Sequence, residues 1–358
     1  MKNDGREEVK KEILSLPPNL HGRLLLAPRL GKTSIVISLI KRDKPKKILW
    51  VTPLAELAEK VIPQEFITWK ALKYLKNLQT VTWASLHTIE GEYDTIILDE
   101  EQHITENNIV NFLNGKITYR NIISMTGTPS RDNYKRQLYN LLKLPILYCV
   151  DINLASDLDI LSDYEINVLQ FPLSTKKDIV VKTKHSSFYT SEKAQYDYYS
   201  TKLDTQFGGL WRRRGLASTN TKKRVVQNLL KQISGRILIF APYIEIAEEI
   251  SDKVYHGKSN NKKHFTDFIE KKSNELCLVN KGGTGVTYED INHLIVVQAD
   301  SDKNGLTTQK IMRCLLKDGT KPTIWILCHE NTQDEVWVNS TLENFKQEKI
   351  KFIKTYGN

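Results

Sequence analysis

Long apolar runs are missing from this chain of 358 residues; none approaches the roughly 20 consecutive apolar residues that a bilayer-crossing helix needs, so no membrane partner is expected. The start, Met1-Lys2-Asn3-Asp4-Gly5-Arg6-Glu7-Glu8, has neither a hydrophobic region nor a cleavage site, which argues against secretion. A cytoplasmic protein is expected, in the host cytoplasm if the chain is viral. Cysteine is scarce. Cys149, Cys277, Cys314 and Cys328 lack metal-ligand spacing and sit in apolar surroundings, as reduced core thiols of a cytosolic protein would. The eight histidines form no ligand pair either. Internal repeats, low-complexity tracts and long linkers are also lacking, which leaves an ordinary globular chain long enough for two domains. Acid is in deficit, with 42 Asp and Glu against 52 Lys and Arg, and the net charge of +10 suits a polyanionic partner.

What the chain does have is alternation. Short apolar runs at Arg23-Leu24-Leu25-Leu26, Lys47-Ile48-Leu49-Trp50-Val51, Thr80-Val81-Thr82-Trp83, Thr95-Ile96-Ile97-Leu98 and Asn121-Ile122-Ile123-Ser124-Met125 are separated by helical stretches. A second series follows at Arg236-Ile237-Leu238-Ile239-Phe240, Leu276-Cys277-Leu278-Val279, His293-Leu294-Ile295-Val296-Val297 and Thr323-Ile324-Trp325-Ile326-Leu327. Runs of this kind form parallel sheets covered by helices on both faces, so the expected fold class is α/β with two tandem domains and a cleft between them. The segment between the two series holds one expected strand, Glu165-Ile166-Asn167-Val168-Leu169, and then polar, tyrosine-rich helical material. Its densest basic run, Trp211-Arg212-Arg213-Arg214, suits either stacking with phosphate contact or a solvated helix face.

Two segments carry chemistry. In Arg29-Leu30-Gly31-Lys32-Thr33-Ser34, Gly31 lets the backbone approach an anion, Lys32 can reach terminal phosphates, and the Thr33 hydroxyl can coordinate magnesium at the mouth of a helix. The full phosphate-loop pattern would place another glycine where Leu26 stands. In Asp99-Glu100-Glu101-Gln102, at the end of an apolar run, Asp99 can complete a magnesium shell and Glu100 can polarise water. His103 beside this box is either catalytic or a polar contact within the domain.

The order of further motifs resembles a superfamily 2 helicase or nucleic-acid translocase over about residues 20–340, close to phage-type, Swi/Snf-like and type III restriction-like motors. Asp99-Glu100-Glu101-Gln102 matches the DExH/DExQ box, and Met125-Thr126-Gly127-Thr128-Pro129 matches the Thr-Gly-Thr-Pro motif that couples hydrolysis to domain movement. Val51-Thr52-Pro53-Leu54 and Thr82-Trp83-Ala84-Ser85-Leu86 look like segments that grip a nucleic-acid backbone. Residues 235–247 and Tyr255-His256-Gly257-Lys258 look like parts of a second RecA-like domain, and Lys281-Gly282-Gly283-Thr284-Gly285-Val286-Thr287 like its glycine-rich motif V. Gln309 and Arg313 fit motif VI, Q-x-x-G-R-x-x-R, although Met312 replaces its glycine and Leu316 its second arginine. Asn331-Thr332-Gln333-Asp334-Glu335 resembles a segment that follows the core in Swi/Snf-type and phage-type members; Thr332 also reads as a plain helix cap with Glu335 in capping-box position.

The resemblance implies two tandem RecA-like domains: an ATP-binding one over residues 1–150, and a second over residues 151–358 that includes a linker or helical segment at about 172–234. It implies ATP and Mg2+ as cofactors, with Arg29, Leu30, Gly31, Lys32, Thr33, Ser34, Gln102 and Gly285 around the nucleotide and Thr33 and Asp99 on the metal. Glu100, Asp99, Lys32, Gln309 and Arg313 would carry hydrolysis, and Thr52, Pro53, Ser85, Gly283 and Thr284 would contact nucleic acid, DNA rather than RNA by analogy with double-strand translocases. A monomer is expected. The rival reading is a nucleotide-gated clamp with little productive hydrolysis, suggested by Leu316 in place of arginine.

Overall fold

In a computed structural model of the protein, the structure describes residues 5–182, 186–205, 207–258, 262–279, 288–300 and 305–355. They fall into two compact units, the first running to Leu161 and the second from Ser162 onward apart from Gly305.

In the first unit, strands β1 (Gly22–Leu26), β2 (Ile48–Thr52), β3 (Leu78–Thr82), β4 (Gly91–Asp99), β5 (Ile117–Thr126) and β6 (Ile146–Val150) form a parallel sheet in the order β3-β2-β4-β5-β1-β6. Helices α1 (Gly5–Ser15), α2 (Lys32–Asp43), α3 (Ile62–Thr68), α4 (Glu106–Leu113), α5 (Asn133–Leu141) and α6 (Ile152–Asp157) accompany it. Every residue of β1 and β2 is buried, as expected where helices cover both faces of a parallel sheet. Helix α2 buries Ile35, Val36, Ile37, Leu39 and Ile40. It stops where Lys44 turns left-handed (φ 53°) and bonds back to the Ile40 carbonyl, just before Pro45. One core cluster joins Leu49, Val51, Trp83, Leu86, Ile96, Leu98, Ile109 and Tyr139, so the ends of β2, β3 and β4 are fixed against α4 and α5. Each fully buried aliphatic side chain of this kind contributes about 1.5–3 kcal/mol.

In the second unit, strands β7 (Glu165–Phe171), β10 (Ile237–Ala241), β11 (Val254–His256), β12 (Glu275–Val279), β13 (His293–Val296), β14 (Thr323–His329) and β15 (Ile350–Lys354) make a parallel sheet ordered β11-β12-β10-β13-β14-β7-β15. Strands β8 (Ile179–Lys182) and β9 (Ser187–Thr190) pair separately as an antiparallel hairpin. Helices are α7 (Glu192–Ser200), α8 (Gly208–Ala217), α9 (Asn220–Leu230), α10 (Ile244–Ile250), α11 (Lys263–Ile269), α12 (Leu306–Met312) and α13 (Gln333–Leu342). The expected α/β class therefore holds, with two parallel sheets flanked by helices.

Edge strands, a hairpin and one cysteine differ from the sequence reading. The edge strands β6 and β15 are largely exposed, and the hairpin β8–β9 is half solvated, so none produces the signature of a covered parallel strand. Cys149 lies exposed on edge strand β6 rather than in the core; Cys277, Cys314 and Cys328 are buried. The three consecutive arginines on α8 are engaged within the protein: Arg212 donates to Gln333 at 2.9 Å, Arg213 pairs with Asp300, and Arg214 with Glu245. No helix among the described residues is long and apolar enough to cross a membrane.

Candidate active site

Strands β4, β5 and β1 are neighbours in the first sheet, and their carboxyl ends bring three loops together. Register fixes this placement, with Asp99 beside Met125 and Thr126 beside Leu25. In open parallel sheets this is the edge at which ligands bind.

The loop after β1 enters α2 through Gly31, which is left-handed at φ 75° and ψ 42°, and no side chain caps the helix. The first-turn amides of α2 are therefore left as donors at the positive end of the helix dipole. Lys32 begins the helix, its ammonium 3.7 Å from the Glu100 carboxylate. Thr33 is half-buried, Ser34 is buried with its hydroxyl donating to the Gly31 carbonyl at 2.9 Å, and Leu30 is buried, so that only its backbone can face a ligand. Arg29 adopts φ 77° in the same turn.

Across the sheet edge, Glu100 is itself left-handed at φ 51° and ψ 61°, a conformation that costs energy for a side chain of this size and is found preferentially at functional sites. Its carboxylate accepts from Gln102 Nε2 at 2.8 Å. Gln102 Oε1 accepts from the Thr126 hydroxyl at 2.7 Å, and the Thr126 oxygen accepts from the Thr128 amide at 3.0 Å. A continuous chain of hydrogen bonds thus runs from the acidic box to the Thr126-Gly127-Thr128 turn. Burial and the adjacent Glu100 charge push the Asp99 carboxyl up to about 7, with Lys32 partly offsetting them.

A polyphosphate with a divalent cation fits this donor set. The uncapped amides and Lys32 suit anionic oxygens, the crowding of Asp99 by Glu100 is the repulsion a cation relieves, and Thr33 adds a hard oxygen ligand. The space is tight: a Cβ on Gly127 would come within 3.0 Å of Lys32 Nζ and 2.9 Å of Pro28 Cδ. Bound there, a nucleotide polyphosphate would supply the phosphoryl group and its cation the charge neutralisation. Lys32 can hold anionic oxygen, and Glu100 can accept a proton from water while Gln102 fixes its second oxygen.

Underneath lies a pair that the sequence reading assigned no role. Glu101 is wholly buried and accepts from Arg23 Nε at 2.9 Å and Nη2 at 2.5 Å, and from the Ser124 hydroxyl at 2.5 Å. The Arg23 guanidinium lies 4.0 Å from the Tyr139 ring centroid. This fork ties β1, β5 and α5 to the turn that follows Asp99 and Glu100. Its signal was an arginine inside an otherwise apolar strand, which is retained in a core only with a partner.

Beside the box, a cavity of about 790 Å³ is lined by Pro53, Trp83, Ala84, His87, His103 and Asn107, among others. Ser85 is exposed at its rim segment, hydrogen-bonded to Thr82, whereas Thr52, expected to contact nucleic acid, is wholly buried. Burial, opposed by the Glu100 charge, holds the His103 imidazole below its ordinary range. Asn108 and Asn111 shape the wall by donating to the carbonyls of Trp83 and His87 at 2.7 and 2.9 Å.

In the second unit, Gln309 lies on α12 and Arg313 immediately after it, both half-buried. Asp300 accepts from Lys310 at 2.8 Å and from Arg213, and its amide donates to Thr307 at 2.8 Å, so α12 is anchored at the end of β13. Gly283, Thr284 and Gly285 lie outside the described residues. Thr332 caps α13, accepting from the Asp334 amide, and Glu335 accepts from the Asn331 amide at 3.0 Å. Asp334 is buried with Lys222 at 2.6 Å, and Gln298 bonds both.

No protein-family model matches the chain, and no curated protein matches it. Solved structures do. The ATP-dependent Type ISP restriction-modification enzyme LlaBIII, bound to DNA, superposes with a TM-score of 0.64 at 15% identity, covering 99% of this chain and 31% of that one. The Pyrococcus furiosus Hef helicase domain gives 0.55 at 14% identity over 94% and 97% of the two chains. S. cerevisiae Dbp5 bound to RNA and ADP BeF3 gives 0.54 at 13% identity over 99% and 89%. The chain shares the fold of these structures. The two sheets correspond to tandem RecA-like domains, and the Lys32, Glu100 and Thr126 loops lie at the carboxyl edge of the first. This chain spans about a third of the length of the restriction enzyme.

Proposed function

We propose that the protein is an ATP-dependent nucleic-acid motor, a helicase or translocase that acts on DNA in preference to RNA. The observation that carries this reading is the chain from Lys32 and Glu100 through Gln102 to Thr126 and Thr128, because it links a site suited to phosphates with the turn following β5. Lys32 and the α2 amides bind the ATP phosphates, and Thr33 and Asp99 hold Mg2+. Glu100 takes the proton of the attacking water. Gln309 and Arg313 are assigned the second unit's part in stabilising the transferring phosphoryl group. Pro53 and Ser85 are assigned to nucleic acid, together with Gly283 and Thr284, and Gly285 to the nucleotide.

The rival is a clamp that binds nucleotide and nucleic acid without turnover, favoured by Leu316 where a second arginine is expected. Turnover separates them. Mg2+-dependent ATP hydrolysis is expected to rise on adding polynucleotide, most with duplex or forked DNA and least with RNA. Lys32→Ala is expected to abolish it through nucleotide binding; Glu100→Gln is expected to retain binding and lose about 10²–10⁴-fold in rate. A wild-type rate equal to that of Glu100→Gln overturns the motor reading and leaves the clamp.

A further inference from the structure

Helix α8 has an outward stripe that the candidate active site does not use. Phe207, Leu210, Trp211 and Arg214 recur at helical spacing on one side, and the first three are 50%, 55% and 44% exposed. The opposite side holds the helix in place: Gly208, Leu216 and Ala217 are buried, Arg212 and Arg213 are tied to Gln333 and Asp300, and Gly215 abuts the Tyr199 ring. The stripe is therefore presented by a fixed helix.

Its chemistry is specific. The Phe207 and Trp211 rings lie 6.2 Å apart between centroids with an interplanar angle of 36°, a tilted pair about half exposed to solvent. Arg214, one turn beyond Trp211, is exposed, and its ion pair with Glu245 is itself between exposed groups, so solvent screening makes it easy to exchange for another anion. Residues 172–217, the stretch of chain that holds the hairpin, α7 and α8, carry nine Lys and Arg against four Asp and Glu. An apolar protein partner would meet that excess of positive charge unfavourably. A flexible polyanion with planar rings would meet both features favourably, since stacking on aromatic side chains and phosphate contact with arginine are how single strands are held.

We propose that α8 is a single-strand nucleic-acid contact in which unpaired bases stack on Phe207 and Trp211 and a backbone phosphate pairs with Arg214. The proposal rests on the motor reading only in taking nucleic acid as the partner; it assigns the contact to the hairpin-and-helix segment of the second unit, a different part of the chain from Pro53 and Ser85. Binding is insensitive to sequence, because every base offers a stacking face.

The test uses the full chain, without ATP, and fluorescein-labelled oligo(dT) and oligo(U) in anisotropy titrations. Trp211→Ala and the double variant Phe207→Ala/Trp211→Ala are expected to raise Kd by about tenfold or more, following the range for one lost base stack. Trp211→Tyr is expected to restore most of the affinity, and Arg214→Ala to lower the salt dependence. Near-ultraviolet crosslinking of 5-iodouracil-substituted strands should place adducts on Trp211 or Phe207 by peptide mass spectrometry. ATP hydrolysis without nucleic acid should be unchanged in all of these variants. Wild-type-like Kd in Trp211→Ala, or adducts mapped solely around Pro53 and Ser85, overturns the α8 contact and leaves the motor reading standing. A wild-type chain that binds no polynucleotide overturns both. Concentration-dependent self-association in ultracentrifugation, lost in Trp211→Ala with strand affinity unchanged, would assign the stripe to a second copy instead.

Discussion

The Thr126 hydroxyl donates to Gln102 Oε1 at 2.7 Å, and both side chains are buried. The bond joins the end of β5 to the turn after β4 at the point where Gln102 also holds Glu100. Thr126→Val keeps the shape and removes the hydroxyl, leaving the Gln102 oxygen and the Thr128 amide without this partner. The expected loss of stability is about 1–3 kcal/mol. If the turn transmits the state of Glu100, stimulation of ATP hydrolysis by polynucleotide should fall about tenfold while ATP affinity changes by less than about threefold, a separation that rests on transition-state rather than ground-state binding. Comparing kcat and KM with and without polynucleotide checks this; equal losses of both would contradict it.

The fork between Arg23 and Glu101 should behave as a structural pair. Glu101→Ala leaves a buried guanidinium without its carboxylate, and Arg23→Ala does the converse; each is expected to destabilise the first unit by about 3–5 kcal/mol. Replacing both with Met and Leu should recover much of that loss, because the pair also carries a large desolvation cost. Urea unfolding of the three variants decides the matter. A double variant no more stable than the single ones would count against this account.

Gly127 is the place where a single methyl group tests the geometry of the phosphate site. Gly127→Ala places a Cβ about 3 Å from Lys32 Nζ and against the Pro28 ring. The lysine tip can move, but the proline ring is fixed by its backbone. ATP affinity is expected to fall about tenfold, equivalent to ~1.4 kcal/mol, and the melting temperature to fall as the turn shifts away from the ring. Calorimetric titration with a nonhydrolysable ATP analogue measures it.

Acid should weaken the second unit through His329. Its Nε2 lies 2.8 Å from the Thr219 hydroxyl, its Nδ1 is buried without a hydrogen-bond partner among the described residues, and burial next to Lys222 pushes it down to about 3. The unfolded chain therefore binds a proton that the folded chain refuses. Stability is full above the unfolded value near 6.5 and declines as pH falls toward about 3, at up to ~1.4 kcal/mol per pH unit. His329→Gln should flatten the dependence of the urea midpoint between pH 7 and 4.5; an unchanged slope would locate the acid sensitivity elsewhere.

Much of this architecture is legible in the sequence because parallel strands covered on both faces are written as unbroken apolar runs. Ile48 to Thr52 and Ile237 to Ala241 are of this kind, and both are buried throughout. Strands β6 and β15 could not be read in this way, since an edge position demands no such run. The phosphate loop and acidic box were legible as residue types at strand ends. The left-handed backbone of Glu100 and the burial of Glu101 were not, because both follow from how the turn packs over Arg23 rather than from local preference. The Trp211 run was legible as aromatic and basic, but only packing distinguishes Arg212 and Arg213, tied inward, from Arg214 on the stripe.

Strand β7 pairs with β14 on one side and β15 on the other, partners whose registered residues lie 158 and 184 positions further along. During synthesis the first unit has all six of its strands by Val150 and can complete its sheet while the remainder is still being made. Strand β7 then leaves the ribosome as an apolar segment with no neighbour until Thr323 and beyond have emerged. At about 5–20 residues per second, that wait lasts on the order of ten seconds or more. Its closure is a late, long-range step, and β7 is the segment for which chaperone protection during translation matters most.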